Sequence, residues 1–414
     1  MQNKFAKRAS SLQPSDMRII LTAGERPELI SFAGGLPAPD LFPIEALKAA
    51  SEAVLSEEGP ASLQYSATEG YIPLRQKIIE RMKAVNIPAE LSQIMITSGS
   101  QQAIDLTGRL FLDEGDTIIC ESPTYLAAIN AFKTYDANFV EVDMDEDGMI
   151  MEALEKRLQE NPHTKFIYTI PDFQNPTGRT LSLERRKRMI ELANRYDVLV
   201  LEDNPYGAIR FSGTPIPPVK HFDTEGRVIY LSSFSKIFAP GLRLGWICAD
   251  QVFIEKYIAL KESSDMHTDG FAQRLTSKYM EQNDIEKHIA NIKAVYKARC
   301  TTMIQCIEEF FPENISFVKP EGGLFLWVEL PPLMDSRKIA LECLENNVAV
   351  IPGGAFFADK AKTNTVRLNF SNTSEERIKE GMKRIGKVLH REMASEPTHI
   401  ETVTLGENSL STSS

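Results

Sequence analysis

The sequence predicts an α/β fold: a mainly parallel sheet covered by helices, joined to a smaller α+β domain. Between about residues 92 and 249, short β-rich runs alternate with helical patterns, an alternation typical of a parallel sheet. Several of these runs are continuously apolar, as expected for strands that are covered on both faces. After about residue 285 the pattern changes to longer helical stretches separated by short strands.

The first region contains the strand candidates Ile94–Thr97, Thr117–Cys120, Phe139–Val142, Phe166–Ile170, Val198–Leu201, Val228–Leu231 and Leu244–Cys248. Helical patterns lie between them. One predicted helix begins at Ser182, a favourable N-cap residue, and places Met189, Ile190 and Ala193 at helical spacing. These elements predict the larger domain.

The second region predicts a long helix over Ile285–Phe310 and a last helix capped by Ser374. Between them the sequence predicts, in order, a strand, a helix and two further strands: Gly323–Glu329, Ser336–Asn346, Val348–Ile351 and Val366–Phe370. This mixture predicts the smaller α+β domain. The polar stretch 394–414 is rich in Ser, Thr and Glu and predicts a disordered tail.

Composition excludes several classes of function. The 414 residues include 46 Lys and Arg against 57 Asp and Glu, and a net charge of −11 disfavours nucleic-acid binding. No signal-peptide core and no run of 18 apolar residues is present, so we expect neither secretion nor a membrane span. The five scattered cysteines and six histidines lack metal-ligand spacing, which predicts a cytoplasmic protein with reduced thiols and no metal site.

A lysine among small hydroxyl residues follows the strand Val228–Leu231. Lys236 could form a Schiff base with an aldehyde if its amine loses its proton. Ser233, Ser235 and Arg243 are suited to bind a phosphate group. The alternative interpretation is a surface lysine in a Ser-rich loop.

Two further strand ends carry polar side chains, and ligands of open α/β sheets bind at such ends. Asn175 and Tyr206 could donate hydrogen bonds to the phenolate oxygen of a pyridoxal ring. Asp203 is placed to keep the ring nitrogen protonated, which makes the ring an electron sink. The alternative is that both segments are ordinary polar turns.

Two more strand ends complete the pattern. Gly99 stands before a predicted helix, whose N-terminus favours an anion. Tyr125 follows another strand and could stack on a cofactor ring, although a lone aromatic residue is more often part of a core. Together the strand ends supply the groups that pyridoxal 5′-phosphate (PLP) requires.

These residues, in this order, resemble the fold-type I PLP-dependent aminotransferases of class I/II, from about Met17 to His390. The resemblance implies a large domain, here 45–290, with a seven-stranded, mostly parallel sheet. It implies a small domain built from both ends of the chain, here 1–44 and 291–393. It also implies a homodimer in which the subunits share their active sites.

The resemblance also assigns roles to residues. Lys236 would hold the cofactor and then move a proton between substrate and cofactor carbons. Ser100 and Gln101 would contact the phosphate, and Tyr65 would reach the phosphate of the partner subunit. Arg367 would bind the substrate α-carboxylate, since a guanidinium matches a carboxylate bidentately.

The segment Ile30–Pro43, together with Met17 and Arg18, is similar to the 2-aminoadipate/kynurenine aminotransferase group, where it forms a mobile lid. Gly35 would let the backbone approach the substrate carboxylate, and Arg18 would meet a distal carboxylate. Gly24 departs from the helix-favouring pattern expected in that lid.

The sequence therefore predicts a transaminase that takes an amino group from 2-aminoadipate, glutamate, or a bulky apolar or aromatic amino acid. The predicted acceptor is a 2-oxo acid, 2-oxoglutarate first. Two alternatives remain open: a PLP-dependent β-lyase or decarboxylase, and the effector-sensing module of a transcription regulator.

Overall fold

The computed structural model describes residues 4–6, 8–9, 28–358 and 362–395. The α-helices of these residues are α1 (Ile44–Glu57), α2 (Ile72–Ala84), α3 (Ser100–Phe111), α4 (Leu126–Lys133), α5 (Met151–Glu160), α6 (Leu183–Arg195), α7 (Gln251–Asp265), α8 (Gly270–Gln282), α9 (Ile285–Phe310), α10 (Ser336–Glu345) and α11 (Glu375–Ser395). The strands are β1 (Ile30–Ser31), β2 (Ile94–Thr97), β3 (Thr117–Ser122), β4 (Asn138–Asp145), β5 (Gly148–Met149), β6 (Thr164–Thr169), β7 (Leu199–Asp203), β8 (Val228–Ser233), β9 (Gly245–Cys248), β10 (Ser316–Phe317), β11 (Phe325–Glu329), β12 (Val348–Ala349), β13 (Ile351–Pro352) and β14 (Thr365–Asn369).

The large sheet has the strand order β2-β9-β8-β7-β6-β3-β4-β5. The strands β3, β4, β6, β7 and β8 pair in parallel, whereas β9 is antiparallel to both of its neighbours. The α/β class and all seven predicted strands are confirmed. The expected count of seven was wrong by one, because the chain turns back after β4 and adds the two-residue strand β5 at the edge.

Two hydrophobic cores lie on opposite faces of this sheet, because successive side chains of a strand point to opposite sides. In β6, Phe166 belongs to the larger core and Ile167 to the smaller one. The smaller core contains the apolar faces of α5 and α6, including Leu154 and Met189. The continuously apolar strands of the sequence are thus explained by burial on both faces.

A separate antiparallel sheet of order β10-β11-β14-β13 follows in the chain. The predicted strand over 348–351 is divided here into β12 and β13, and β12 pairs in parallel with β1 near the start of the chain. The proposed domain boundaries stay predictions. The predicted tail falls mainly on residues 396–414, which lie outside the described residues.

The helix ends agree with the predicted caps in position. Ser182 precedes α6 but makes no capping hydrogen bond, whereas Ser374 before α11 accepts one from the Arg377 amide at 3.4 Å. Among the described helices, none combines the length and the apolar character needed to cross a membrane.

Candidate active site

A cavity of about 350 Å³ lies at the carboxyl ends of the parallel strands. Parallel strands end at one edge of a sheet, so residues that are distant in sequence meet there. The predicted site residues that line this cavity are Gly35, Ser100, Gln101, Tyr125, Asn175, Asp203, Tyr206, Ser233, Ser235, Lys236, Arg243 and Arg367. Asp203 and Ser233 are the last residues of β7 and β8, which run two residues further than predicted.

Lys236 follows β8 and projects its amine into the cavity. Its Nζ donates a hydrogen bond of 2.7 Å to the carbonyl oxygen of Gly35. Burial, followed by the positive charges of Arg367 and Arg243, lowers the pKa of Lys236 to about 8. An amine with this pKa is partly neutral near neutral pH, which is the form that attacks an aldehyde.

Asp203 is buried, and its two oxygens have different environments. Oδ2 accepts a hydrogen bond of 2.8 Å from the hydroxyl of Tyr168, whereas Oδ1 is buried without a partner. Burial raises the pKa of Asp203 to about 7, and the Tyr168 hydrogen bond opposes this rise. A buried acceptor without a partner is rare and marks a place for a donor from a bound molecule.

Asn175 and Tyr206 meet as predicted. The Asn175 amide nitrogen lies 3.5 Å from the Tyr206 hydroxyl, and its Oδ1 accepts a hydrogen bond of 2.9 Å from Arg367. Burial raises the pKa of Tyr206, so its hydroxyl stays protonated. Both residues can therefore donate to an anionic oxygen in the cavity.

Ser233, Ser235 and Arg243 form the cationic, hydroxyl-rich end of the cavity. Ser233 Oγ donates to Ser235 Oγ at 2.8 Å, and Arg243 adopts a left-handed backbone conformation with φ of 54°. Gly99 has φ of +82°, and a Cβ atom there would collide with the Arg243 guanidinium. The glycine therefore lets the arginine lie against the start of α3.

Helix α3 begins at Ser100 and directs its N-terminus towards the same end of the cavity. Gln101 donates to the carbonyl of Ala127 at 3.1 Å, while its Oε1 is buried without a partner. The backbone N–H groups of the first helical turn and the helix dipole favour an anion at this position, whereas the Gln101 Oε1 acceptor needs a donor.

Arg367 is buried between two aromatic rings. Its guanidinium carbon lies 4.3 Å from the Phe325 ring centroid and 4.8 Å from that of Phe356. One nitrogen donates to the Ala33 carbonyl at 2.7 Å, and Nε has no partner among the described residues. Burial lowers the pKa of Arg367 to about 10, so it remains charged at neutral pH and can bind a carboxylate.

Gly35 and Tyr125 complete the predicted lining. A Cβ atom on Gly35 would lie 3.1 Å from the Phe325 ring, so the glycine allows the backbone to pass close to the site. Tyr125 precedes α4, and burial followed by the charge of Asp203 raises its pKa to about 12. Its ring is therefore neutral and free to stack.

One predicted residue with a described position, Tyr65, does not line the cavity. Tyr65 is 81% exposed and packs edge-on against His267 at 5.8 Å between ring centroids. Arg18 lies outside the described residues.

Three residues around the site were missed from the sequence: Tyr168, Phe325 and Phe356. Tyr168 was interpreted as part of an apolar strand, although its position one residue before the end of β6 is a signal that it lies next to the site. Phe325 and Phe356 carry no sequence signal, because they come from distant segments and meet only around Arg367.

The cavity fits a pyridine ring that carries an aldehyde and a phosphate. It offers an amine for the aldehyde, an unpaired carboxylate oxygen for the ring nitrogen, donors for a phenolate, and Arg243 with a helix N-terminus for the phosphate.

A family model described as "Aminotransferase class I and II" matches residues 30–385. The chain belongs to this family. The enzyme is 45% identical to aromatic-amino-acid aminotransferase 1 of Thermococcus litoralis, over 94% of each chain.

Two solved structures extend the similarity. Kynurenine aminotransferase of Pyrococcus horikoshii, in complex with PMP, has a TM-score of 0.91 at 42% identity and covers 95% of this chain and 98% of its own. The α-aminoadipate aminotransferase LysN of Thermus thermophilus, complexed with N-(5′-phosphopyridoxyl)-L-leucine, has a TM-score of 0.88 at 35% identity, covering 95% and 99%. The prediction of a PLP-dependent transaminase acting on amino acids and 2-oxo acids is confirmed.

Proposed function

We propose that Lys236 is the residue that binds PLP and transfers the proton during transamination of amino acids. The observation that carries this proposal is that its amine, with a pKa of about 8, opens into the same cavity as the unpaired oxygen of Asp203. The other roles below follow from that pairing.

When bound, PLP supplies an electron sink that stabilises negative charge at the substrate α-carbon. Asp203 would keep the ring nitrogen protonated through Oδ1. Asn175 and Tyr206 would donate to the phenolate oxygen, and Tyr125 would stack on the ring. Ser100, Gln101, Ser233, Ser235 and Arg243 would hold the phosphate. These roles are supported by the donors, acceptors and charges of the cavity.

The substrate would lie between Lys236 and Arg367. Arg367 would bind the α-carboxylate, together with the backbone near Gly35, and this would orient the α-hydrogen towards the lysine amine. The Lys236 amine, in its neutral form, would take that proton as a general base. The lowered pKa of Lys236 supports this role, since a neutral amine is required.

Apart from Asn130, mainly apolar residues line the rest of the described cavity, including Leu126, Ile170, Phe325 and Phe356. This lining supports bulky apolar or aromatic amino donors. Relatives named for aromatic amino acids and kynurenine support the same kind of donor. The relative named for α-aminoadipate supports 2-aminoadipate as a further donor. We propose 2-oxoglutarate as the acceptor, with Arg18 as the candidate partner of a distal carboxylate.

We further propose a cytoplasmic homodimer in which Tyr65 reaches the phosphate site of the partner subunit. Leu63, Tyr65 and Ile72 are 72%, 81% and 53% exposed, an apolar surface that supports association.

The five cysteines are free and buried, in keeping with a reducing compartment. We retain 45–290 as the cofactor domain, with the small domain built from 1–44 and 291–393.

The first experiment replaces Lys236 by Ala. We expect loss of transaminase turnover and of the visible absorbance of the bound cofactor, measured on purified protein with added PLP. The matched control is Lys256→Ala, which removes an exposed amine from α7. Full turnover by the Lys236→Ala variant would refute the assignment.

A panel of donors tests the substrate proposal. We expect turnover with 2-aminoadipate, kynurenine, leucine and phenylalanine, measured with 2-oxoglutarate as the acceptor. If Arg18 binds a distal carboxylate, Arg18→Ala weakens the use of 2-aminoadipate far more than that of leucine. Equal losses on both donors would remove this role from Arg18.

Mixed dimers test the shared site. Lys236→Ala and Tyr65→Ala subunits, each impaired alone, are unfolded together and refolded. If Tyr65 acts across the interface, mixing restores about a quarter of wild-type activity, since half of the dimers are mixed and each has one intact site. Absence of any recovery, with dimers present, would place Tyr65 outside the partner's site.

A further inference from the structure

Tyr168 lies directly behind Asp203 and has no role in the scheme above. It belongs to β6, its side chain is 1% exposed, and it does not line the cavity. Its hydroxyl donates to Asp203 Oδ2 at 2.8 Å, on the side of the carboxylate away from the unpaired oxygen. Asp203 Oδ2 thus has a donor from the protein, whereas Oδ1 has none.

The sheet fixes this contact. Tyr168 is paired in register with Leu201 of β7, and Asp203 lies two residues further along the same strand, so its side chain points to the same face. The ring of Phe132 packs edge-on against the Tyr168 ring at 5.8 Å. The hydroxyl is therefore held in position by packing rather than by a mobile loop.

The charges around Asp203 make this hydrogen bond important. Burial favours the neutral carboxyl, and the nearby buried carboxyl Glu121 adds a second acidic group, itself with a pKa raised by burial to about 7. Tyr125 and Tyr206 face Asp203 with protonated hydroxyls, and the cavity cations are Lys236, Arg243 and Arg367. Among the described side chains, Tyr168 is the one that donates a hydrogen bond to the Asp203 carboxylate.

Tyr168 can act as a donor throughout the neutral range. Burial, and then the charge of Asp203, raises its own pKa well above the usual value, so its hydroxyl does not ionise. A hydrogen bond to the charged form of a carboxylate stabilises that form and makes the carboxylate less basic.

We propose that Tyr168 is a positioning residue that keeps the shared proton on the ring nitrogen of the cofactor rather than on Asp203. This inference rests on the proposed role of Asp203. By bonding to Oδ2, Tyr168 stabilises the carboxylate charge and leaves Oδ1 for the ring nitrogen. Without it, the more basic carboxylate takes the proton, and the neutral ring withdraws electrons less well.

The test is Tyr168→Phe, which removes one hydroxyl and keeps the ring. The readout is nitrogen NMR of the holoenzyme reconstituted with PLP labelled at the ring nitrogen, which distinguishes a protonated from a neutral pyridine. We expect the signal to move towards the neutral form and kcat to fall on the order of tenfold, with KM little changed.

Tyr257→Phe is the matched control. Tyr257 is also fully buried, its hydroxyl is hydrogen-bonded to Thr107 at 2.7 Å, and it does not line the cavity. The control should keep the wild-type NMR signal and kcat, although both variants lose one buried hydrogen bond. Equal losses of kcat in the two variants, with an unchanged nitrogen signal, would overturn the inference.

A third variant separates this inference from the assignment of Asp203. Asp203→Asn should move the nitrogen signal to the neutral form whether or not Tyr168 matters. If Asp203→Asn moves the signal and Tyr168→Phe does not, the inference fails and the proposed function stands. If neither moves it, Asp203 is not the partner of the ring nitrogen and both fail.

Discussion

Asp172 and Asp203 are two buried carboxylates near the same edge of the sheet, and their surroundings differ. Asp172 accepts hydrogen bonds from Arg186 at 2.7 and 3.2 Å and from Asn204 at 2.9 Å, so both of its oxygens are paired. Asp203 has one donor, Tyr168, and one oxygen without a partner.

This difference separates a carboxylate that is fully paired within the protein from the one that we propose to be functional. Arg186 is fully buried and also donates to the carbonyls of Leu181, Pro171 and Pro217, so the ion pair is closed within the protein. The environment of Asp203 is incomplete until a ligand supplies a donor. For these two carboxylates, the unpaired oxygen of Asp203 is the feature that distinguishes them, since both side chains are buried.

The largest expected change in the free energy of unfolding comes from breaking the buried ion pair between Asp172 and Arg186. Asp172→Asn leaves Arg186 buried without its counter-charge and should lower the free energy of unfolding by about 3–5 kcal/mol. Denaturant unfolding of the purified variant measures this. A loss below about 1 kcal/mol would mean that Asp172 behaves as a surface ion pair.

At Asp203, whose Oδ1 has no partner, we expect a substitution to raise the free energy of unfolding instead of lowering it. Asp203→Asn removes a buried charge that lacks a full set of partners, so the cofactor-free protein should gain about 1–2 kcal/mol of stability. Thermal unfolding of the apoenzyme checks this, with Asp172→Asn as the comparison. Destabilisation by both variants would contradict the distinction between the two carboxylates.

The same variant has a pH signature. Asp203 has a folded-state pKa of about 7, above its ordinary value of 3.8, so the folded apoenzyme binds a proton more tightly than the unfolded chain. The charged form of Asp203 therefore destabilises the folded state. This destabilisation is absent below the ordinary pKa of 3.8, increases as the pH rises, and is complete above about 7. The stability gain of Asp203→Asn should be small at about pH 4 and grow as the pH rises towards about 7, as measured by unfolding across a pH series.

The smallest effect is expected next to the closed pair. Ser232 donates to the Asn204 carbonyl at 2.8 Å, while Asp172 separately holds the Asn204 side chain. Ser232→Ala should therefore cost only about 0.5–1 kcal/mol and leave turnover unchanged. A large loss of turnover would show that Asn204 transmits strain to the neighbouring Asp203.

The sequence predicted the strands of the large sheet because burial on both faces leaves continuous apolar runs. It predicted Lys236, Asn175, Asp203 and Arg243 because strand ends of a parallel sheet converge, so order along the chain implies proximity. The short strand β5 was not predicted, because its two residues are too few to show the alternation of apolar and polar side chains that indicates a strand.

Other parts of the site depend on packing between distant segments. Arg367 was expected to bind the substrate α-carboxylate, but its surroundings were not predicted: its side chain is 5% exposed and lies between Phe325 and Phe356. That aromatic enclosure arises only when β11, which carries Phe325, pairs with β14 and the segment Gly353–Phe356 packs beside them, and no local pattern encodes it. Tyr168 was missed for the same reason, because its partner is on the adjacent strand.

The pairing of β1 with β12 has a consequence for biosynthesis. Ile30 leaves the ribosome roughly three hundred residues before Val348, the strand partner that it needs. The Ala33 carbonyl, which accepts a hydrogen bond from Arg367, has a similar delay. The nascent chain must therefore keep its first segment unpaired during most of translation, and the part of the cavity around Arg367 is assembled last.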